Sequence, residues 1–206
     1  MSGSTVSDRP RIDRERRRPT GMPLVLGDGR QRARRIRAHD LSTFERPRIP
    51  GNRSRIWQAA WYLVNATIFR GHLLGLLPSR YKAAILRLFG ARVGRSVVIK
   101  PGLNIKYPWF VEIGDHVWLG EAAWIDNHCA VRIGDHVCIS QGARLFTGNH
   151  DWNDEAFGFF CRPVTVGRSA WVGAFAVLLP GTSVPPGTVI MAGLRYGPQS
   201  GGSGSA

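Results

Sequence analysis

The sequence is poor in cysteine, in carboxylates and in long apolar runs. Its 206 residues hold three cysteines, Cys129, Cys138 and Cys161, widely spaced and without a Cys-x-x-Cys pair. That argues against a disulfide framework and a cysteine-built zinc site, and fits a reducing, cytoplasmic compartment. The longest uncharged apolar stretch, Ile56 to Phe69, is 14 residues, whereas a membrane-spanning helix needs about 20. Charge and proline occupy the opening residues where a secretory leader needs an apolar run, so no signal peptide is expected. Carboxylates are half as numerous as cations, 14 Asp+Glu against 28 Lys+Arg, for a net charge of +14.

The excess charge is concentrated at one end. Residues 1–55 carry 15 Arg against 6 acids, and the rest of the chain 13 Lys+Arg against 8. Residues 1–40 are too polar, and too often broken by Pro and Gly, to bury a core. They are expected to form a disordered Arg-rich extension. A solvated tail is the preferred reading, with no nucleic-acid partner expected.

From Ser54 onward an amphipathic pattern begins. Trp57, Trp61, Val64 and Ile68 recur at helical spacing, and Pro78 interrupts the run. A second helix is expected from Ser79 as N-cap to just before Gly90. Its apolar face is Tyr81, Ala84, Ile85, Leu88 and Phe89, with Arg80, Lys82 and Arg87 elsewhere. Residues 41–90 thus read as a helical cap on the domain that follows. The mixture of aromatic and basic residues over 54–89 also suits a peripheral contact with the inner face of a membrane.

Beyond Gly90 the helical period gives way to one of six. Ile113-Gly-Asp-His-Val117 recurs letter for letter as Ile133-Gly-Asp-His-Val137. Anchors fall at Val93, Ile99 and Ile105, then Ile113, Leu119 and Ile125, then Ile133, Ile139 and Leu145, with two residues inserted between trios. They resume at Val166, Val172, Leu178, Val184 and Ile190. All fourteen are Ile, Leu or Val, types that fill 45 of the 206 positions, so chance would supply about three. A chain that turns every six residues makes a triangular coil of about 18, one short strand per side, with inward anchors. Coils stack through parallel hydrogen bonds at roughly 4.8 Å. Gly follows the anchor at 94, 114, 120, 134, 167 and 173 and is expected to permit a positive φ at the bend. The fold class is therefore an all-β solenoid over 91–196, a parallel β-helix of hexapeptide repeats, with a flexible Gly/Ser tail at 197–206.

The repeat is interrupted between Leu145 and Val166, where residues 147–155 are expected to project as a loop. Loops on a rigid scaffold are where chemistry collects. His150 stands at the root of this one, beside Asp151. A neutral imidazole can take a proton from a hydroxyl, and a close carboxylate can fix its tautomer. His116 and His136 occupy equivalent corners of successive coils and read as a stacked, solvent-facing pair. No His/Cys/Asp/Glu spacing suggests a bound metal.

Taken together, Leu86-Arg-Leu-Phe-Gly-Ala-Arg-Val-Gly94, Trp124-Ile-Asp-Asn127, Cys138-Ile-Ser-Gln-Gly142, Thr147-Gly-Asn-His-Asp151 and Trp171-Val-Gly173 resemble a known family. They are similar to the left-handed β-helix O-acetyltransferases of the colanic-acid-biosynthesis and nodulation type. The resemblance implies acetyl-CoA as donor, a sugar or glycan acceptor such as an exopolysaccharide, and a homotrimer with active sites between subunits. It implies His150 as general base and Asp151 as its orienting partner. It places Trp171, Gly173, Ala174 and Arg168 on the coenzyme side and Asp126 and Asn127 on the acceptor side. One departure stands out: Leu179-Pro-Gly-Thr182 passes almost directly to Val184-Pro-Pro-Gly-Thr-Val189, where family members carry a further coil. A shortened, catalytically weak or inactive trimeric scaffold is the alternative this raises.

Overall fold

A computed structural model describes residues 41–198, apart from positions 46, 72, 73, 152, 153 and 155 and the side chain of Thr43. The Arg-rich extension expected over 1–40, and the tail from 199, lie outside the described residues.

The hexad anchors stack in the register their period requires. Val93, Ile113, Ile133, Val166 and Val184 lie opposite one another on the first face. Ile99, Leu119, Ile139, Val172 and Ile190 do so on the second. Ile105, Ile125, Leu145 and Leu178 form the third, which Tyr196 completes. All these pairings are parallel, and the three five-stranded sheets describe a prism of five coils. From Ile99 to Ile190 every anchor is buried within one continuous core. Each such side chain contributes about 1.5–3 kcal/mol by leaving water.

Glycine acts differently from the expectation. The left-handed residue of the corner lies two places beyond the glycine and is usually not glycine at all. Ser96, His116, Ala122, His136, Ser169 and Phe175 have φ between 53° and 58°. The glycine itself is required by stacking: a Cβ on Gly120 would sit 2.5 Å from the Gln141 nitrogen of the next coil. The repeated left-handed corner stacks the rings of His116 and His136 at 5.0 Å and 10°, as their equivalent positions suggest.

Two helices, α1 (Arg55–Val64) and α2 (Ser79–Leu88), cover the exposed edge of the first coil. The Ser54 hydroxyl caps α1 by accepting from the Trp57 N–H at 3.3 Å. On its inner face Trp61 is fully buried and Val64 packs against the core, as does Ile68 in the helical turn that follows, whereas Trp57 stays 37% exposed beside Phe89. An open strand edge needs hydrogen-bond partners, and the cap supplies them on all three faces. Arg87 Nε and Nη2 donate to the Val93 and Gly94 carbonyls at 2.9 and 2.7 Å. The Ile99 N–H donates to Ser79 Oγ at 2.9 Å, and Lys82 Nζ donates to the Ile99 carbonyl at 3.2 Å. Trp61 Nε1 donates to the Ile105 carbonyl at 2.9 Å.

These edge bonds overturn two readings of α2. Pro78, not Ser79, takes the N-cap position, because the Ser79 hydroxyl serves the strand. The buried side of the helix is Lys82, Ala83 and Leu86; of the expected face, Ile85 and Phe89 pack against the core, while Tyr81, Ala84 and Leu88 face outward. Burying the apolar stripe instead would leave strand carbonyls without donors. Among the described residues no helix is long and apolar enough to cross a membrane.

Candidate active site

The site is built at the corner where the six-residue rule is relaxed. After Ile105 and Ile125 the chain takes two extra residues before the next face, and side chains brace the resulting bulge. Asn127 is fully buried. Its Oδ1 accepts from the Tyr107 N–H at 3.1 Å, and its Nδ2 donates to the Tyr107 carbonyl at 2.8 Å. This candidate acceptor contact therefore braces the corner and does not line the cleft. Thr147, also buried, accepts through Oγ1 from the His128 N–H at 2.8 Å.

The interruption after Leu145 is a hairpin rather than an irregular loop. Gly148–His150 pairs antiparallel with Phe159–Cys161, and His150 lies opposite Phe159. The His150 ring is half-buried. It stacks on Phe157 at 4.2 Å and 10°, and meets Phe159 and Phe44 edge-on at 5.4 and 5.3 Å. Its Nδ1 lies 2.8 Å from the Phe157 carbonyl. A carbonyl only accepts, so Nδ1 carries the proton and Nε2 of the neutral ring keeps its lone pair. The orienting place expected of Asp151 is thus taken by backbone. Phe157 reaches it through a left-handed conformation, φ 52°, held by Asp154, whose carboxylate accepts from the Ala156 and Gly158 N–H groups at 3.0 and 2.9 Å.

His150 opens onto a cleft of about 660 Å³ whose walls include Lys106, Asp126, His128, Asn149 and Phe159 on the coil side. Phe44, Asn52, Arg55 and Gln58 line the opposite wall. Asp126 is among its lining residues, 3.0 Å from Lys106 Nζ. The wall from 44 to 58 has no counterpart in the sequence reading, since an irregular segment carries no period. His128 is a further unforeseen member, its ring edge-on to Phe159 at 4.8 Å and its Nδ1 buried.

Burial, then the Lys106 charge, holds His128 below the ordinary histidine range against the opposing pull of Asp126. Its folded form binds a proton less readily than the unfolded chain. Stability should therefore be complete above about pH 6.5 and decline as acid protonates the unfolded state through that value. Denaturant melts of wild type and His128→Phe between neutral and mildly acidic pH check this. The wild-type decline should be steeper, and parallel curves would remove His128 as its source.

The other candidates stand apart from this cleft within one chain. Trp171 is about half exposed, at 52%, and its indole donates to Ser140 Oγ at 2.8 Å. Gly173 is buried, and a Cβ there would sit 2.6 Å from the Ala192 nitrogen, so stacking already requires glycine. Ala174 is half-buried beside it. Arg168 is exposed, 3.9 Å from Asp135. None of these four lines the His150 cleft. The cysteines are free thiols, and burial beside Cys161 pushes Cys129 up to about 12.

No family model matches the chain, but individual proteins do. It is 36% identical over 151 residues to the protein named colanic acid biosynthesis acetyltransferase WcaF of Escherichia coli, covering 73% of this chain and 82% of that one. It is 34% identical over 130 residues to nodulation protein L of Rhizobium leguminosarum, covering 61% and 68%. Among solved structures, a galactoside acetyltransferase in complex with coenzyme A superposes with a TM-score of 0.59 at 20% identity, over 67% of this chain and 69% of that one. A maltose O-acetyltransferase from Clostridium difficile gives 0.56 at 20%, over 68% and 73%. The structural likeness identifies the prism as the left-handed β-helix of these proteins. With WcaF matched over most of its length, the chain belongs to the hexapeptide-repeat acetyltransferases.

Proposed function

We propose that the chain transfers an acetyl group from acetyl-CoA to a hydroxyl of a sugar or glycan, in exopolysaccharide or related synthesis, with His150 as general base. The observation that carries this is the His150–Phe157 pair, which fixes the imidazole with its basic nitrogen free beside a polar cleft. Nε2 takes the proton of the acceptor hydroxyl as its oxygen attacks the thioester carbonyl. The new C–O bond forms, the C–S bond breaks, and the proton passes from the imidazolium to the leaving thiolate. Base catalysis of this kind contributes about 10²–10⁴-fold, and holding both substrates in place adds to it. Asp126 and Lys106 offer an acceptor and a donor to sugar hydroxyls.

The separation of Trp171, Gly173, Ala174 and Arg168 from the cleft supports a homotrimer. In it, these residues of one subunit would face the His150 of the next and complete the coenzyme groove. A cytoplasmic setting, where the donor is made, goes with this reading. The test is release of free thiol from acetyl-CoA across a panel of glycans, with sedimentation velocity for subunit number. Glycan-dependent thiol release by a trimer is the expected result. A trimer giving no calorimetric signal with acetyl-CoA would replace this reading with that of a scaffold.

A further inference from the structure

The helical cap presents a surface that acetyl transfer does not use. Between Glu45 and Glu112 the chain contains twelve Lys and Arg and not one carboxylate. Several of these cations are engaged: Lys82 and Arg87 on strand carbonyls, Arg92, Arg95 and Lys106 on acids of the following coil. Among the described residues, Arg53, Arg70 and Arg80 meet no carboxylate.

Over the same stretch large apolar side chains stand exposed on both helices and, at Leu76, on the turn between them. Ile56 is 83% exposed and Leu63 67%; Leu76 is 72% exposed and Leu88 70%. Ile56 and Leu63 are seven residues apart, as are Tyr81 and Leu88, so each pair shares one stripe of its helix. From Ile56 to Phe69 the chain is uncharged on every side, a composition ordinarily found in helices covered all round. Here only the inner side is covered. Both helices lie across the same end of the prism, since between them they bond the first-coil strands of all three faces.

We propose that this end of the solenoid docks on an anionic lipid surface. Ile56, Leu63, Leu76 and Leu88 enter the boundary between headgroups and acyl chains, and Arg53, Arg70 and Arg80 meet lipid phosphate. Charge and shape together select this occupant. A nucleic acid would match the cations but leave four large aliphatic side chains in water. A second copy of the same end would set uncompensated cations against one another. The contact is independent of the acetyl-transfer reading, though it would bring the Arg55 and Gln58 wall of the cleft close to the bilayer.

The test is co-sedimentation of the full chain with vesicles of phosphatidylcholine, alone or mixed with phosphatidylglycerol. Wild type is compared with the outward variants Ile56→Ser/Leu63→Ser/Leu88→Ser and Arg70→Glu/Arg80→Glu. Binding should require the anionic lipid and weaken with salt. Each variant should reduce it by about tenfold or more with an unchanged thermal melt. Four results would overturn the proposal: no sedimentation with anionic vesicles, equal binding to neutral ones, undiminished binding by the serine variant, or displacement from vesicles by duplex DNA. If the serine variant melts early, Leu63→Gln alone, fully outward on α1, carries the comparison with the same criteria.

Discussion

Alanine at His150 is expected to slow acetyl transfer by about 10²–10⁴-fold, the range that a positioned general base supplies. The ring is only half-buried and contacts aromatic side chains, so its loss should leave the coils and their melting temperature nearly unchanged. The affinity for acetyl-CoA should also persist, because the coenzyme candidates stand on other elements. Steady-state kinetics with separate kcat and KM, beside a thermal melt, check all three. A companion substitution separates the two orienting groups. Asp151→Asn should leave kcat within a few-fold, because the Phe157 carbonyl already fixes the tautomer. His150→Ala retaining near-wild-type kcat would remove the imidazole from the chemistry.

Trp61→Ala should be the most damaging single change to stability, at about 3–5 kcal/mol. Trp61 is wholly buried and packs against Phe69 and Phe89, with ring centroids at 5.4 and 5.1 Å. Its indole is also the donor that satisfies the Ile105 carbonyl at the edge of the third face. Alanine would leave both a cavity and an unpaired strand acceptor. Since a domain's whole stability is about 5–15 kcal/mol, detachment of the cap is expected. Trp61→Phe keeps much of the packing and loses the hydrogen bond, worth about 1 kcal/mol. Urea melts of the three proteins should rank in that order. An alanine variant within about 1 kcal/mol of wild type would contradict the packing described.

The prism was legible because a solenoid writes its three-dimensional contacts into local spacing. Val93 finds Ile113, and Ile113 finds Ile133, through the same step that separates them in the chain. His150 sits where that step fails, which marks the place, while its candidacy as a base rests on the family resemblance. What stayed hidden has no side-chain signature. The group that orients His150 is a backbone carbonyl, and the wall from Phe44 to Gln58 belongs to an aperiodic segment. The apolar stripe of α2 misled at Tyr81, Ala84 and Leu88, because a count of hydrophobic positions does not register that Ile99 needs a donor, which Lys82 supplies. Asn127 misled in the opposite way: a polar residue at a corner can serve the corner alone.

The bulged corner has a consequence for how such a molecule diversifies. Leu145 still lies opposite Leu178, and Ile133 opposite Val166, although the hairpin intervenes between them. An excursion of any length at this point leaves the flanking turns in phase, so the spot behaves as a splice junction. Segments of different length or chemistry, exchanged between residues 147 and 163, would reshape the recognition of small molecules while the rod that carries them is inherited intact.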